Sequence, residues 1–302
     1  MQKPSLPCDT LVAAGVLVTQ DDDRRILRDA AIAVTDGRIA ALGPAKELRE
    51  RFAPAETLDL SGCLVLPGLV NTHTHAAMTL FRGLCDDAPL SVWLSEHIWP
   101  AEAKLSAEAV RLGTRLACAE MLASGTTCFL DAYLFVDAVA DAAEASGMRA
   151  VLCQGVFEIA NAGFKTVDAA FASSEALVAR LAGHDRLRAA IFPHAVYTCS
   201  GKTLSRCAAF ARDKGVLLST HACETAKEND DCAKANGARV ILSDRPKPDG
   251  LTIPYVRLQG DLHFALAYLA ASFERFPARK LRMIGVTGTD GKTTTSMLIH
   301  HL

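Results

Sequence analysis

The chain has 302 residues, 50% hydrophobic and 22% charged, which is enough apolar material for a large packed core and too much for a disordered tail. No run of about 18 uncharged apolar residues is present to span a bilayer, so a membrane protein is not expected. The formal net charge of −2 gives no electrostatic footprint for nucleic acid. The start, MQKPSLPCDT, lacks the basic-then-apolar pattern of a secretory signal, which predicts a cytoplasmic location. The ten cysteines include no C-x-x-C pair and read as reduced thiols.

In chain order, LVAAGVLVTQ and AIAVTDGRIAALG are short apolar runs, and Asp36-Gly37 folds the second into a hairpin. They predict a small amino-terminal β layer over residues 1–62. From Cys63 the pattern becomes a strand followed by a longer helical stretch, repeated five times. The strands are CLVLPGLVNTHTH, TTCFLDAY, RAVLCQGVF, LRAAIFPHAV and VLLSTHACET, separated by Ala-rich segments such as SAEAVRLGTRLACAEMLASG. Apolar strands covered by helices suit a parallel sheet, either a (β/α) barrel or a doubly wound sheet. Either architecture places its chemistry at strand carboxyl ends, where His73, His75, Asp131, His194, His221 and Glu224 fall.

Composition changes near residues 233–238. All ten cysteines lie at or before Cys232; the last 70 residues hold 10 Lys+Arg against 5 Asp+Glu, and the first 232 hold 22 against 29. A junction is predicted there, giving a barrel segment over 63–232 and a third segment over 233–302.

Asn71-Thr72-His73-Thr74-His75 carries the clearest chemistry. Residues i and i+2 of a strand share a face, so His73 and His75 project together. His221 at another strand end would complete a three-histidine site with an open position for water. Glu224, three residues on, is placed to move protons without binding the metal. Cys223 is expected to point away, His97 and His184 read as ordinary helix or surface residues, and Asp131 reads as a cap or a pocket residue.

PGLVNTHTHAAMTLFRG, WLSEHIWPAEAKL, ACAEMLASGTT, PHAVYTCS and HACETAKEN, in this order, resemble the amidohydrolase superfamily over roughly residues 8–232. Within it they resemble the S-adenosylhomocysteine/5'-methylthioadenosine deaminases and related chlorohydrolases. The resemblance implies a metal-dependent (β/α)8 barrel of the TIM type with a small β-sandwich. It makes His73, His75 and His221 metal ligands, Glu224 the proton shuttle, and Glu102 and His194 substrate-facing residues. The implied reaction is hydrolytic deamination of an adenosine-type or other aromatic amine by metal-activated water, with zinc, or alternatively iron, as the divalent ion. The expected partner is a small molecule, and homo-oligomer formation is open as a way to cover a broken barrel edge.

The family continues beyond His221 with a further histidine and an Asp in a G-T-D context, and neither follows here in a matching setting. The barrel is therefore expected to be incomplete. Instead, KLRMIGVTGTDGKTTTSMLIHHL reads as strand, glycine loop and helix and resembles the Mur ligases, the UDP-N-acetylmuramoyl-peptide synthetases. Gly288 and Gly291 would admit phosphates, Lys292 would reach the terminal phosphates, and Thr293 or Thr294 would meet magnesium, so ATP and magnesium are expected only if this P-loop is functional. Three readings follow: a metal-dependent amidohydrolase, an ATP-dependent Mur-type ligase fragment, and a catalytically silent fusion of two truncated genes.

Overall fold

The computed structural model describes residues 5–222, 224, 225 and 228, and four short strands at 241–243, 255–257, 283–285 and 296–298. The chain divides into two compact units, Met1–Leu69 and Val70–Leu302.

The first unit is one four-stranded sheet with a short helix. Strands β1 (Leu6–Val18), β2 (Ile26–Thr35), β3 (Arg38–Pro44) and β4 (Phe52–Val65) lie in the order β3-β2-β1-β4, with α1 (Ala45–Arg51) between β3 and β4. Asp36 and Gly37 adopt φ of 51° and 69°, the paired positive values a type I′ hairpin requires, and β2 and β3 pair antiparallel across them. Leu11, Ala31, Ala33, Leu48 and Phe52 form the buried core of this layer. Strand β4 pairs parallel with β1, with a register shift between Ala14 and Val16. A side chain at Gly15 would place its Cβ 2.2 Å from the Ser61 carbonyl oxygen, so the close backbone approach at this bulge requires glycine.

Cys63 does not begin the barrel, as the run CLVLPGLVNTHTH suggested. Cys63–Val65 end β4 in the amino-terminal sheet, and the next strand starts at Leu69. The run is apolar on both sides of Pro67-Gly68, so hydrophobicity alone could not divide it; the proline, which lacks an N–H for a ladder, marks the break.

From the unit boundary on, the strands are β5 (Leu69–Thr74), β6 (Thr126–Tyr133), β7 (Arg149–Val156), β8 (Leu187–Pro193) and β9 (Leu217–Leu218), hydrogen-bonded in that order. Strands β6 to β9 pair parallel. A doubly wound sheet reverses its strand order at a switch point; unbroken sequential order is that of a barrel wall. The sheet is thus a five-stranded, curled part of a barrel.

Helices α4 (Ala107–Ala123), α5 (Val136–Ser146), α6 (Val167–Arg180) and α7 (Gly201–Lys214) follow β5 to β8. Ser106, Thr166 and Ser200 cap three of them by accepting from backbone N–H groups three residues on, and Gly147 and Gly215 end α5 and α7 in the left-handed conformation, the expected stop signals. Val110, Cys118, Phe129, Val139, Leu152 and Leu177 form a fully buried core between sheet and helices. Leu130, Ala132, Cys153, Ala190 and Phe192 form a second cluster from alternate positions of the same strands. Period-two alternation thus gives each strand a helix-facing and a barrel-interior side.

Between β5 and α4 the chain forms a 3-10 helix (Ala76–Phe81), then α2 (Leu90–Val92), a π-helical turn (Trp93–Ile98) and α3 (Trp99–Glu102). Gly113 of α4 lies where a Cβ would come within 2.6 Å of the Ala77 carbonyl oxygen. Gly113→Ala gains about 1 kcal/mol of helix propensity but incurs about 1–3 kcal/mol of overpacking against backbone. A net loss of about 1 kcal/mol is expected in urea denaturation.

Ile241–Ser243 pairs parallel with Tyr255–Arg257, and Met283–Gly285 pairs antiparallel with Ser296–Leu298. The last of these corrects the helix expected there; three residues carry too little periodicity to distinguish helix from strand. The P-loop residues Gly288, Gly291, Lys292, Thr293 and Thr294 lie outside the described residues, as does the helix expected from DLHFALAYLAASF. Among the described residues no helix is long and apolar enough to cross a membrane.

Candidate metal centre and active-site pocket

The carboxyl end of β5 presents His73 and His75 to the same side, with ring centroids 4.9 Å apart. His221, just beyond β9, brings its ring to 5.0 Å from His73 and 5.2 Å from His75. Backbone bonds continue past the strand ends to hold it there: the His194 N–H donates to the Val156 carbonyl, and the His221 N–H to the His194 carbonyl, each at 2.9 Å. One potential ligand atom from each of the three histidines lies within 4.8 Å of the others.

The donor chemistry of this cluster fits a metal ion. His75 Nδ1 lies 2.6 Å from the Ala132 carbonyl oxygen, which assigns the proton to Nδ1 and leaves the Nε2 lone pair free, the orientation a ligating imidazole takes. That Nε2 sits 3.2 Å from His221 Nε2. Nδ1 of His73 and of His221 are buried without hydrogen-bond partners among the described residues. Burial alone lowers the pKa of His73, and burial reinforced by neighbouring imidazoles lowers those of His75 and His221 to about 3. Three neutral imidazoles from two strand ends are a ready ligand set for a divalent cation.

The histidines form the floor of a cavity of about 200 Å³. One wall is apolar, from Leu90, Trp93, Leu94, Trp99, Phe157 and Ile159. Glu102, His194, Tyr133, Tyr197 and Glu224 supply its polar groups. His194 is held by Thr198, whose hydroxyl lies 2.8 Å from Nδ1, and burial lowers its pKa to about 3. Its ring lies 4.8 Å from that of His221.

Glu224 is held at two points. The Tyr197 hydroxyl donates to its Oε2 at 2.5 Å, and its backbone N–H donates to the Glu228 carboxylate at 2.8 Å. Burial raises the Glu224 pKa, partly opposed by the Tyr197 hydrogen bond. Burial also raises Glu102, with the nearby Tyr133 hydroxyl opposing it. Two carboxyls whose proton affinity burial raises, beside a floor of imidazoles, are placed to exchange protons with a molecule in the cavity.

The six residues expected from the sequence, His73, His75, His221, Glu224, Glu102 and His194, therefore meet in one cavity. Cys223 lies outside the described residues. His184 accepts from the backbone N–H groups of Arg186 and Leu187 and is not part of the pocket. Asp131 is not among the lining residues; it is 1% exposed on the helix side of β6, with its pKa pushed up to about 6 by burial. Sequence reasoning missed Tyr133, Tyr197 and the two tryptophans. Their motifs, TTCFLDAY, PHAVYTCS and WLSEHIWP, were visible, but only the pairing of distant strands puts them around one cavity.

Residues 64–253 match the Amidohydrolase family, and residues 30–55 match the imidazolonepropionase-like composite domain of bacteria. The fold is that of part of a (β/α) barrel, and the chain belongs to the amidohydrolase family. It is 46% identical over 239 residues to a 5-methylthioadenosine/S-adenosylhomocysteine deaminase of Desulfovibrio desulfuricans, covering 79% of this chain and 54% of that protein. A second such deaminase, from Lawsonia intracellularis, is 39% identical over 78% of this chain and 53% of its own length. Among solved structures, a zinc-bound adenosine deaminase from Xanthomonas campestris superposes with a TM-score of 0.75 at 39% identity, covering 78% of this chain and 54% of that one. The chain spans about half the length of the curated relatives it matches.

Proposed function

We propose that this chain carries the site of a metal-dependent hydrolase that deaminates an adenosine-type aromatic amine. The observation that carries the reading is the convergence of three neutral histidines and a tyrosine-held glutamate on one cavity with an apolar aromatic wall. Deaminase relatives at 46% identity support the substrate class. The overall conversion replaces the ring amino group by oxygen, consuming water and releasing ammonia.

In this reading His73, His75 and His221 hold one divalent ion, zinc by analogy with the Xanthomonas campestris structure. Such an ion, when bound, makes water nucleophilic at neutral pH. The chain's own residues do the rest. Glu224 takes one water proton at its carboxylate and delivers it to the ring nitrogen, then takes the second and delivers it to the departing amine, which leaves as ammonia, while the Tyr197 hydroxyl keeps that carboxylate aimed. His194 and Glu102 orient the substrate by hydrogen bonding, and Trp93, Trp99 and Phe157 seat its flat ring and exclude bulk water.

The test is incubation of the purified chain with zinc and 5'-methylthioadenosine or adenosine, read by ammonia release. Tyr197→Phe removes the hydroxyl but keeps the ring; kcat is expected to fall about tenfold or more with KM nearly unchanged, because an aiming contact is lost rather than a binding one. Equal losses in kcat and KM terms would argue against that role. Bound metal without turnover of any aromatic amine would favour the silent fusion.

A second reading attaches to residues 234–302, whose GTDGKTTT sequence favours a Mur-type nucleotide-binding loop; retention of ATP with magnesium at millimolar concentration tests it. A cytoplasmic location and a small-molecule partner belong to the same proposal.

A further inference from the structure

The helix-facing side of β6 holds a carboxylate directly behind the histidine strand. Asp131 is 1% exposed and shares its side of the strand with Phe129, which belongs to the buried core between sheet and helices. Its Oδ1 accepts from the Ala76 backbone N–H at 2.5 Å and lies 2.9 Å from the Thr74 hydroxyl. Its Oδ2 is buried with no hydrogen-bond partner among the described residues, and none of the described ion pairs includes it.

The two groups it engages flank one residue, His75. Thr74 precedes it and points away from the cavity by strand alternation; Ala76 follows it and opens the 3-10 helix. The Thr74 hydroxyl also lies 2.9 Å from the Leu130 carbonyl, and His75 Nδ1 reaches the Ala132 carbonyl. Residues 130, 131 and 132 of β6 thus grip residues 74, 75 and 76, and Asp131 makes two of the contacts. A buried carboxyl lacking a cationic partner is unfavourable for folding by itself, whereas an apolar residue at this position would pack in the core without that penalty.

We propose that Asp131 is a positioning residue for the metal centre: through Thr74 and Ala76 it fixes the backbone on both sides of His75 and so the direction of that imidazole. The inference rests on the three-histidine metal reading. It differs from that reading in assigning a role to a residue that touches neither metal nor cavity. An outer partner of this kind sets ligand orientation, and its loss lowers metal affinity by about 10–100-fold.

The experiment measures Zn²⁺ affinity by competition with a chromophoric chelator, with circular dichroism and thermal melting recorded for each protein. Asp131→Ala is expected to weaken Zn²⁺ binding by about 10–100-fold. Asp131→Asn keeps an oxygen acceptor for Ala76 and Thr74 and is expected to stay within a few-fold of the parent. Thr74→Val, which removes one of the two contacts and leaves Asp131 in place, should fall between them. If Asp131→Ala does not fold, Thr74→Val and Asp131→Asn decide the matter by the same ordering. Unchanged affinity in folded Asp131→Ala or Thr74→Val overturns the inference, as does an Asn variant as weak as the Ala variant. Absence of Zn²⁺ binding in the parent overturns the metal reading itself, and the inference with it.

Discussion

Glu224→Gln is expected to reduce turnover by about 10²–10⁴-fold, the range for loss of a positioned proton-transfer group, while leaving metal content unchanged. The amide oxygen can still accept from the Tyr197 hydroxyl, which now meets Oε2 at 2.5 Å, so the side chain keeps its position. What is lost is the ability to take up and release a proton. The measurement is kcat for ammonia release alongside metal content of the same preparation. A residual rate within a few-fold of the parent would mean that another group moves the proton. Loss of metal together with rate would mean that Glu224 is a ligand instead.

The second large effect is expected from His221→Ala. His221 supplies the one imidazole of the three that comes from outside the His73-Thr74-His75 segment, and its Nε2 lies 3.2 Å from that of His75. Without it, His73 and His75 remain as a two-ligand H-x-H pair. Metal affinity should fall by more than the roughly 10–100-fold typical of an outer partner, and turnover should fall to background. Isothermal titration with Zn²⁺ checks the affinity. Because the imidazole is buried, its removal also leaves a cavity, so a melting curve is needed to show that the variant is folded.

Much of this site was legible in the sequence because its spacing is local. His73 and His75 sit two apart at the carboxyl end of one strand, and His221 and Glu224 sit three apart just beyond another. Alternation then gives their facing without knowledge of the fold. The barrel strands were equally legible as apolar runs between Ala-rich helical segments, and Asp36-Gly37 announced its hairpin.

What escaped depends on contacts between distant residues. Asp131 looked like a strand-end cap, yet its partners lie 55 and 57 positions away at Ala76 and Thr74, and only the β5–β6 pairing brings them together. Tyr197 meets Glu224 across 27 positions for the same reason. The first barrel strand was started six residues early, at Cys63 rather than Leu69, because Cys63–Val65 and Leu69–Val70 are equally apolar. Their assignment to different sheets follows from the parallel pairing of β4 with β1, a tertiary choice that local hydrophobicity does not encode. The π-helical turn at Trp93–Ile98, which brings Trp93 and Leu94 to the cavity wall, has no periodic signature either.

The central claim is that His73, His75 and His221 form a metal centre. It is tested most directly by elemental analysis of the purified chain for tightly bound divalent metal, with the His73→Ala/His221→Ala double variant prepared in parallel. The account predicts about one ion per parent chain and none in the double variant. Metal near zero in both, from protein with intact secondary structure, would contradict it.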